Sequence, residues 1–273
     1  MAAARKAVVS GDKTPLLMPY FSRYIGIDYS GAQSPENHLT GLRIYAATPE
    51  EEPEEILPLG QKKYWSRRGV AEWLVEQLRD GPPTILGIDH GFSFPLDYFH
   101  VHGLPHDWEH FLDDFCHHWP AHVGTVDEIR RHERGHGAAR GGSSRWRRMT
   151  EKRSRSAKSV FHFDVPGSVA KSTFAGLPWL KFLRDELGDM LHCWPFDGWI
   201  PAAEKSVVLE AYPSLWSRGY PRGNRTPDQH DAYSIARWIR ESDTHGSLIG
   251  HFQTTLTEEE KAVAQIEGWI LSV

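Results

Sequence analysis

From Tyr24 onward the chain alternates short apolar runs with amphipathic stretches, and that alternation predicts an α/β fold. Tyr24-Ile25-Gly26-Ile27-Asp28 reads as a buried strand and Leu42-Arg43-Ile44-Tyr45 as a second. Glu55-Ile56-Leu57-Pro58-Leu59 is a weaker third, moved toward a sheet edge because proline has no N–H for the ladder. Val70, Ala71, Trp73, Leu74 and Leu78 then form a helical stripe, which Asp80-Gly81-Pro82-Pro83 ends. Thr84-Ile85-Leu86-Gly87-Ile88-Asp89 is the next strand, giving a βββαβ start. After Pro95 regularity fades for about a hundred residues rich in His, Trp and Arg. Residues 168–187 predict helical pieces interrupted at Gly176 and Pro178, and Ser206 to Tyr212 predicts a strand stopped by Pro213. Helices are expected over Pro227–Glu241 and Thr257–Glu267. The whole predicts a tail over residues 1–20 and one domain over 21–273, with an insertion at about 97–204.

The predicted strands share a second pattern: an acid at or near the carboxyl end, in Asp28, Asp89 and Glu210. Strand alternation puts Gly26 with Asp28 on one face and Gly87 with Asp89 likewise, so each glycine clears space for a helix, a metal or a substrate backbone. Glu210 shares its face with Val208 and could instead pair with a buried arginine. Thr226-Pro227-Asp228-Gln229 fits a capping box, which places Asp228 and Asp231 one turn apart at a helix start. Asp231 also shares a stripe with Ile235 and Trp238, while Asp228 alone could simply favour the helix dipole. Two carboxylates about 4 Å apart repel by roughly 4 kcal/mol at an effective dielectric of 20. Converging acids of this kind imply a compensating divalent cation, Mg²⁺ or Mn²⁺ given all-oxygen ligands, and with it phosphodiester chemistry.

Composition narrows the setting. The chain has 273 residues, 40% hydrophobic and 25% charged, which suits one large globular domain. The sequence lacks both an apolar run long enough for a bilayer and a secretory h-region, and its two cysteines make no disulfide framework, so a cytoplasmic protein is expected. A net charge of −5 argues against a surface that grips nucleic acid everywhere. The charge is segregated, however, with acids at Glu50–Glu55 and a basic stretch over 130–158.

The βββαβ start, the acids of the first and fourth strands and the D-x-x-D helix opening resemble the ribonuclease H-like superfamily. Asp228-Gln229-His230-Asp231-Ala232 is close to the ending of RuvC-type resolvases. More narrowly, the strand and helix motifs, Glu210-Ala211-Tyr212-Pro213 and Glu267-Gly268-Trp269-Ile270 are similar to an uncharacterised family of predicted ribonuclease H-like nucleases. The likeness covers about residues 22–96 and 204–273; at position 90 histidine stands where many relatives carry alanine. It implies a mixed sheet flanked by helices and a two-metal nuclease. Asp28 would bridge the ions, and Asp89, Asp231 and either Glu210 or Asp228 would complete them.

Other motifs compete. His106-Asp107-Trp108-Glu109-His110 matches the H-x-x-E-H spacing of inverted zinc proteases, and its histidine-rich surroundings could also clip a structural metal or simply be surface. Gly167-Ser168-Val169-Ala170-Lys171-Ser172-Thr173 lacks the glycine before lysine that a P-loop needs, although Lys171 could contact a phosphate. Arg145, Trp146, Arg147, Arg148 and Lys152 form the centre of the basic stretch, which reads as a clamp for DNA or RNA or as a solvated loop. Two further functions remain open: a nucleic-acid-binding scaffold on the same fold, and an actin-like nucleotide phosphotransferase.

Overall fold

The computed structural model describes residues 18–131, 135–154, 156–202 and 204–273. Its centre is a mixed six-stranded sheet in the order β3-β2-β1-β4-β6-β5. The first half follows the expected βββαβ order, with β1 (Arg23–Asp28), β2 (Arg43–Ala47), β3 (Glu54–Glu55), α1 (Arg67–Arg79) and β4 (Thr84–Asp89). β2 runs antiparallel to β1 and β3, whereas β1, β4, β6 (Ser206–Glu210) and β5 (Leu191–Cys193) are mutually parallel where they pair. β3 is only two residues long and sits at Glu54–Glu55, ahead of most of the expected Glu55–Leu59, although the Ile56 N–H still bonds the Ile44 carbonyl of β2.

The alternation of β1 divides two cores. Ile25 and Ile27 pack with Leu86, α1 and the intervening segment; Tyr24 packs with Leu209, Ile235 and Ile239 on the other side. Gly26 faces that second side, where α7 (Pro227–Thr244) lies against β1 and β2. A Cβ on Gly26 would sit 2.2 Å from the Ala232 carbonyl oxygen, and one on Gly87 would sit 2.6 Å from Ile235 Cγ2. The two glycines therefore clear the sheet for a helix.

The segment between β4 and β6 is mostly helical, supplies β5 near its end and shares the first core. It holds α2 (Leu96–His102), α3 (Trp108–His118), α4 (Val126–Arg130), α5 (Met149–Arg153) and α6 (Ala170–Leu187). Phe94, Phe111, Phe115, Phe161 and Phe174 join the same cluster as Ile27 and Leu86, so this part is built into the body of the protein. α6 is one continuous helix, where interruptions at Gly176 and Pro178 were expected. Gly176 marks a close approach, since a Cβ there would lie 2.4 Å from His90 Nε2. Pro178 forfeits one helical hydrogen bond, but burial of most of α6 against α1 and α3 holds the helix together. α8 (Leu248–Phe252) and α9 (Glu258–Glu267) complete nine α-helices among the described residues. The tail expected over residues 1–20 lies outside the described residues up to 17. Beyond it the Tyr20 and Phe21 N–H groups donate to the Asp243 carboxylate. No helix of the described residues is long and apolar enough to cross a membrane.

Candidate functional site

Asp28 and Asp89 are register partners at the carboxyl ends of the parallel strands β1 and β4. Equal register puts both side chains on one face, the face covered by α7. The Thr226 side chain accepts from the Gln229 N–H at 3.2 Å and the Gln229 side chain returns a bond to the Thr226 N–H at 2.9 Å, so the predicted capping box starts this helix. Because Gly26 lets α7 approach closely, its first turn brings Asp228 and Asp231 toward the same strand ends. A Cβ on Gly41, in the β1–β2 connection, would lie 3.5 Å from Asp228 Oδ2.

Electrostatics ties the four aspartates together. Burial, then the charges of Asp89, Asp228 and Asp231, hold the Asp28 carboxyl well above the usual carboxylate range, against a smaller pull from Arg43. Burial, with Asp231 and Glu210, pushes Asp89 up to about 8. Burial also raises Asp231, with His230 pulling down, Asp228 pushing up and a hydrogen bond to Ser217 pulling down. Arg43 pairs with Asp28 across β2, but its guanidinium is bound to Glu55 at 3.0 Å and to the Thr40 carbonyl at 2.7 Å. Among the described residues neither the Asp28 nor the Asp89 carboxylate has a hydrogen-bond or ion-pair partner. This is an acidic pocket with no fixed counter-charge.

Glu210 lies near enough to Asp89 to raise it, but its carboxylate is committed elsewhere. It pairs with Ile88, one residue short of Asp89, so it points to the opposite face of the sheet. There Arg148 grips it with both terminal nitrogens, at 2.7 Å each, and the Phe92 N–H adds a third bond at 3.2 Å. Arg148 Nε donates to Glu151 at 2.8 Å, and Nη1 reaches the Glu267 carbonyl at 3.3 Å. Arg148 and Glu151 side chains are each only 1% exposed. Burial opposes the guanidinium charge, but Glu210 and Glu151 outweigh it and keep Arg148 protonated. The alternative of a buried arginine partner is thus the arrangement found for Glu210. His90 is turned away from Asp89 as well; its Nδ1 bonds the Gly91 carbonyl at 2.9 Å and its ring meets Tyr29 edge-on. Burial lowers it to about 4, so it is neutral.

Most of the basic stretch is spent internally. Besides buried Arg148, Arg147 donates to the carbonyls of Glu151 and Ala157, Arg153 pairs with Glu260, and Lys158 bonds the Pro166 carbonyl. Arg130 pairs with Asp164, Arg140 with Asp114 and Lys171 with Asp127. Trp146 is half-buried against Phe161. Arg145 and Lys152 are exposed and have no side-chain partner among the described residues; Arg134 and Arg155 lie outside those residues. The H-x-x-E-H spacing is not read out on one helix. His106 precedes the N-cap Asp107, His110 bonds that same Asp107 at 2.7 Å, and Glu109 pairs with Arg184. Lys171-Ser172-Thr173 opens α6, where Thr173 Oγ1 accepts from the Gly91 N–H at 2.8 Å and ties the helix to the loop after β4.

Arg148 is the residue whose place sequence reasoning missed. Its place in a basic stretch reads as part of a surface clamp, and no local pattern marks it as an arginine that turns inward. Among the described residues no group of three or more His, Cys, Asp or Glu side chains is arranged to hold a metal ion. Neither a family model, nor a curated protein, nor a solved structure matches the chain.

Proposed function

We propose that this protein is a ribonuclease H-like, divalent-metal-dependent hydrolase of phosphodiester bonds in nucleic acid. The observation that carries the reading is the pair Asp28 and Asp89, side by side in register, each raised by burial and by neighbouring acids, and without a partner among the described residues. Such a pair is costly unless protons or a cation neutralise it. The absence of a three-ligand protein cage is compatible with Mg²⁺, which commonly takes one or two carboxylates and fills its remaining positions with waters and substrate phosphate. The sheet order, with β2 antiparallel between β3 and β1 and parallel strands on the other side of β1, supports the architecture.

On this reading Asp28 and Asp89 hold the cation from β1 and β4, with Asp231 or Asp228 approaching from α7. When bound, the ion supplies positive charge to the phosphate oxygens during in-line attack by water. Asp231, half-buried with its carboxyl raised, exchanges the proton that such an attack releases or consumes. The test is Mn²⁺-dependent cleavage of single- and double-stranded DNA and RNA oligonucleotides by wild type and by D28N. Loss of cleavage in a folded D28N chain is expected. Undiminished metal-dependent cleavage in that variant rejects the reading.

A further inference from the structure

A pocket of aspartates repels a polyanion, so the phosphates on either side of a scissile bond need positive groups outside that pocket. Several arginines near it are already committed. Arg43 is bound to Glu55, Arg237 to Glu52 and Glu241, and Arg240 to Glu52. Arg67 is buried and donates to the carbonyls of Ser30, Ala32 and Gln33.

The connection from β6 to α7 differs. Residues 211–227 hold three arginines, Arg218, Arg222 and Arg225, and no acid. Arg225 is used within the loop. Its guanidinium lies 3.4 Å from the Tyr233 ring centroid and donates to the Pro221 and Arg222 carbonyls at 3.2 Å each. Arg218 and Arg222 are exposed, and neither side chain has a partner among the described residues. Neither is among the charges acting on Asp28, Asp89 or Asp231, so both stand outside the pocket and are not spent on it.

The loop is nevertheless fixed to the helix turn that carries Asp228 and Asp231. At its start the Ser217 carbonyl bonds His230 Nε2 at 2.9 Å, and the Ser217 side chain bonds Asp231. Trp216, one residue earlier, stacks on Trp238 at 4.3 Å. Midway, the Tyr220 hydroxyl donates to Glu241 at 2.8 Å. At its end Thr226 is the N-cap of α7, two residues before Asp228. The α carbon of Arg218 is thus about 3.8 Å along the chain from that of a residue bonded to Asp231. Arg222 lies between the Tyr220 anchor and Arg225. Anchoring along the loop lowers the ordering cost of placing both guanidiniums against a ligand.

Given the hydrolase reading above, on which this rests, we infer that Arg218 and Arg222 bind backbone phosphates flanking the scissile bond. The loop before α7 is then the part of the chain that seats the nucleic acid over Asp28 and Asp89. Contacts of this kind position a strand and do not read its bases, so DNA and RNA should both engage them.

Fluorescence anisotropy of the full chain with a DNA duplex and with a single-stranded RNA oligonucleotide, in chelator across a salt series, tests this. R218A/R222A is expected to bind more weakly than wild type and to flatten the slope of log K against log salt on the duplex by about 1.8, two contacts at about 0.9 each. R218K/R222K keeps both charges and should restore most of that slope, which a purely structural role would not. Both positions are exposed, so the variants should keep the wild-type near-UV circular dichroism. An unchanged slope in R218A/R222A, or an equal loss in R218K/R222K, overturns the inference while the D28N cleavage test still decides the hydrolase reading. Wild type that binds neither oligonucleotide overturns it as well. A slope difference that persists in a protein showing no Mn²⁺-dependent cleavage supports the phosphate contacts and sinks the hydrolase reading alone.

Discussion

The α carbon of Gly26 lies so near the Ala232 carbonyl that a methyl group on it would fall 2.2 Å from that oxygen and 2.6 Å from the Ala236 nitrogen. Both obstacles are backbone, so the only relief is movement of α7 away from β1. Overpacking of this kind typically costs about 1–3 kcal/mol, and occasionally more. G26A is therefore expected to lower the urea midpoint by a corresponding amount. Displacing α7 also carries Asp228 and Asp231 away from Asp28, so G26A should lose most Mn²⁺-induced thermal stabilisation. Wild-type stability in G26A would show that the helix is not pinned there.

That contact explains what could be read along the chain and what could not. Gly26 and Gly87 signal a close approach because glycine in a strand interior has few other uses, and the caps of α7 are written in Thr226, Pro227 and Gln229. Local chemistry of this sort is legible in the sequence. The offset of Glu210 is not, because each strand fixes its own alternation but not its register against a neighbour. The partner of Glu210 was equally hidden, since Arg148 sits in a run of arginines and nothing in that run marks it as the one buried, among the described residues, between Glu151, Glu210 and the Glu267 carbonyl. α3 was visible in principle: Trp108, Phe111, Leu112 and Phe115 follow helical spacing, but the surrounding histidines mask the period.

The raised Asp89 makes stability depend on pH in a defined direction. Between about pH 4 and pH 8 the folded chain keeps a proton on Asp89 that the unfolded chain has released. The unfolded state then binds fewer protons, so stability falls as pH rises through this window and levels above it. Metal-free wild type should lose up to about 1.4 kcal/mol per pH unit relative to D89N, with the two chains converging near pH 4. Urea denaturation with chelator present, at pH 5, 6, 7 and 8, measures the difference. Parallel curves for the two chains would mean that Asp89 ionises freely in the folded state.

Removing one charge from the aspartate group should have opposite effects with and without a cation. Asp28 feels Asp89, Asp228 and Asp231 with only Arg43 in opposition, so D28N relieves repulsion in the metal-free protein and should raise its Tm at pH 8. The same variant should show no rise on adding Mn²⁺, whereas wild type should gain about 2.7 kcal/mol at a hundredfold excess over Kd. Differential scanning calorimetry with chelator and with Mn²⁺ separates the two effects. A D28N chain less stable than wild type in chelator contradicts the assigned repulsion.

Arg148 and Glu210 form a buried pair in which each partner needs the other. R148A leaves Glu151 and Glu210 buried without their counter-charge and should cost about 3–5 kcal/mol. The double substitution R148M/E210M removes the Arg148–Glu210 charges with little change in volume but leaves Glu151 buried without its arginine, so it should recover only the part of that loss due to Glu210. A double-mutant cycle completed with E210M, measured in urea, gives the coupling. Additive single effects would show that Arg148 stabilises the protein through packing alone.

The internal pairing of the basic stretch limits how strongly it can hold nucleic acid. Lys171 is committed to Asp127, Arg153 to Glu260 and Arg130 to Asp164, and Arg147 and Arg148 are bound to buried or partly buried acceptors. Of the central residues Arg145 and Lys152 remain exposed, and each phosphate neutralised on duplex DNA contributes about −0.9 to the slope of log K against log salt. R145A/K152A should therefore flatten the slope by at most about 2, while K171A should change it little. Fluorescence anisotropy across a salt series, in chelator to stop cleavage, supplies the slopes. A change much larger than 2 in the double variant would require the surface ion pairs to open and the whole stretch to rearrange on the nucleic acid. A zero change would move the binding face elsewhere, to the strand ends where Asp28 and Asp89 meet α7.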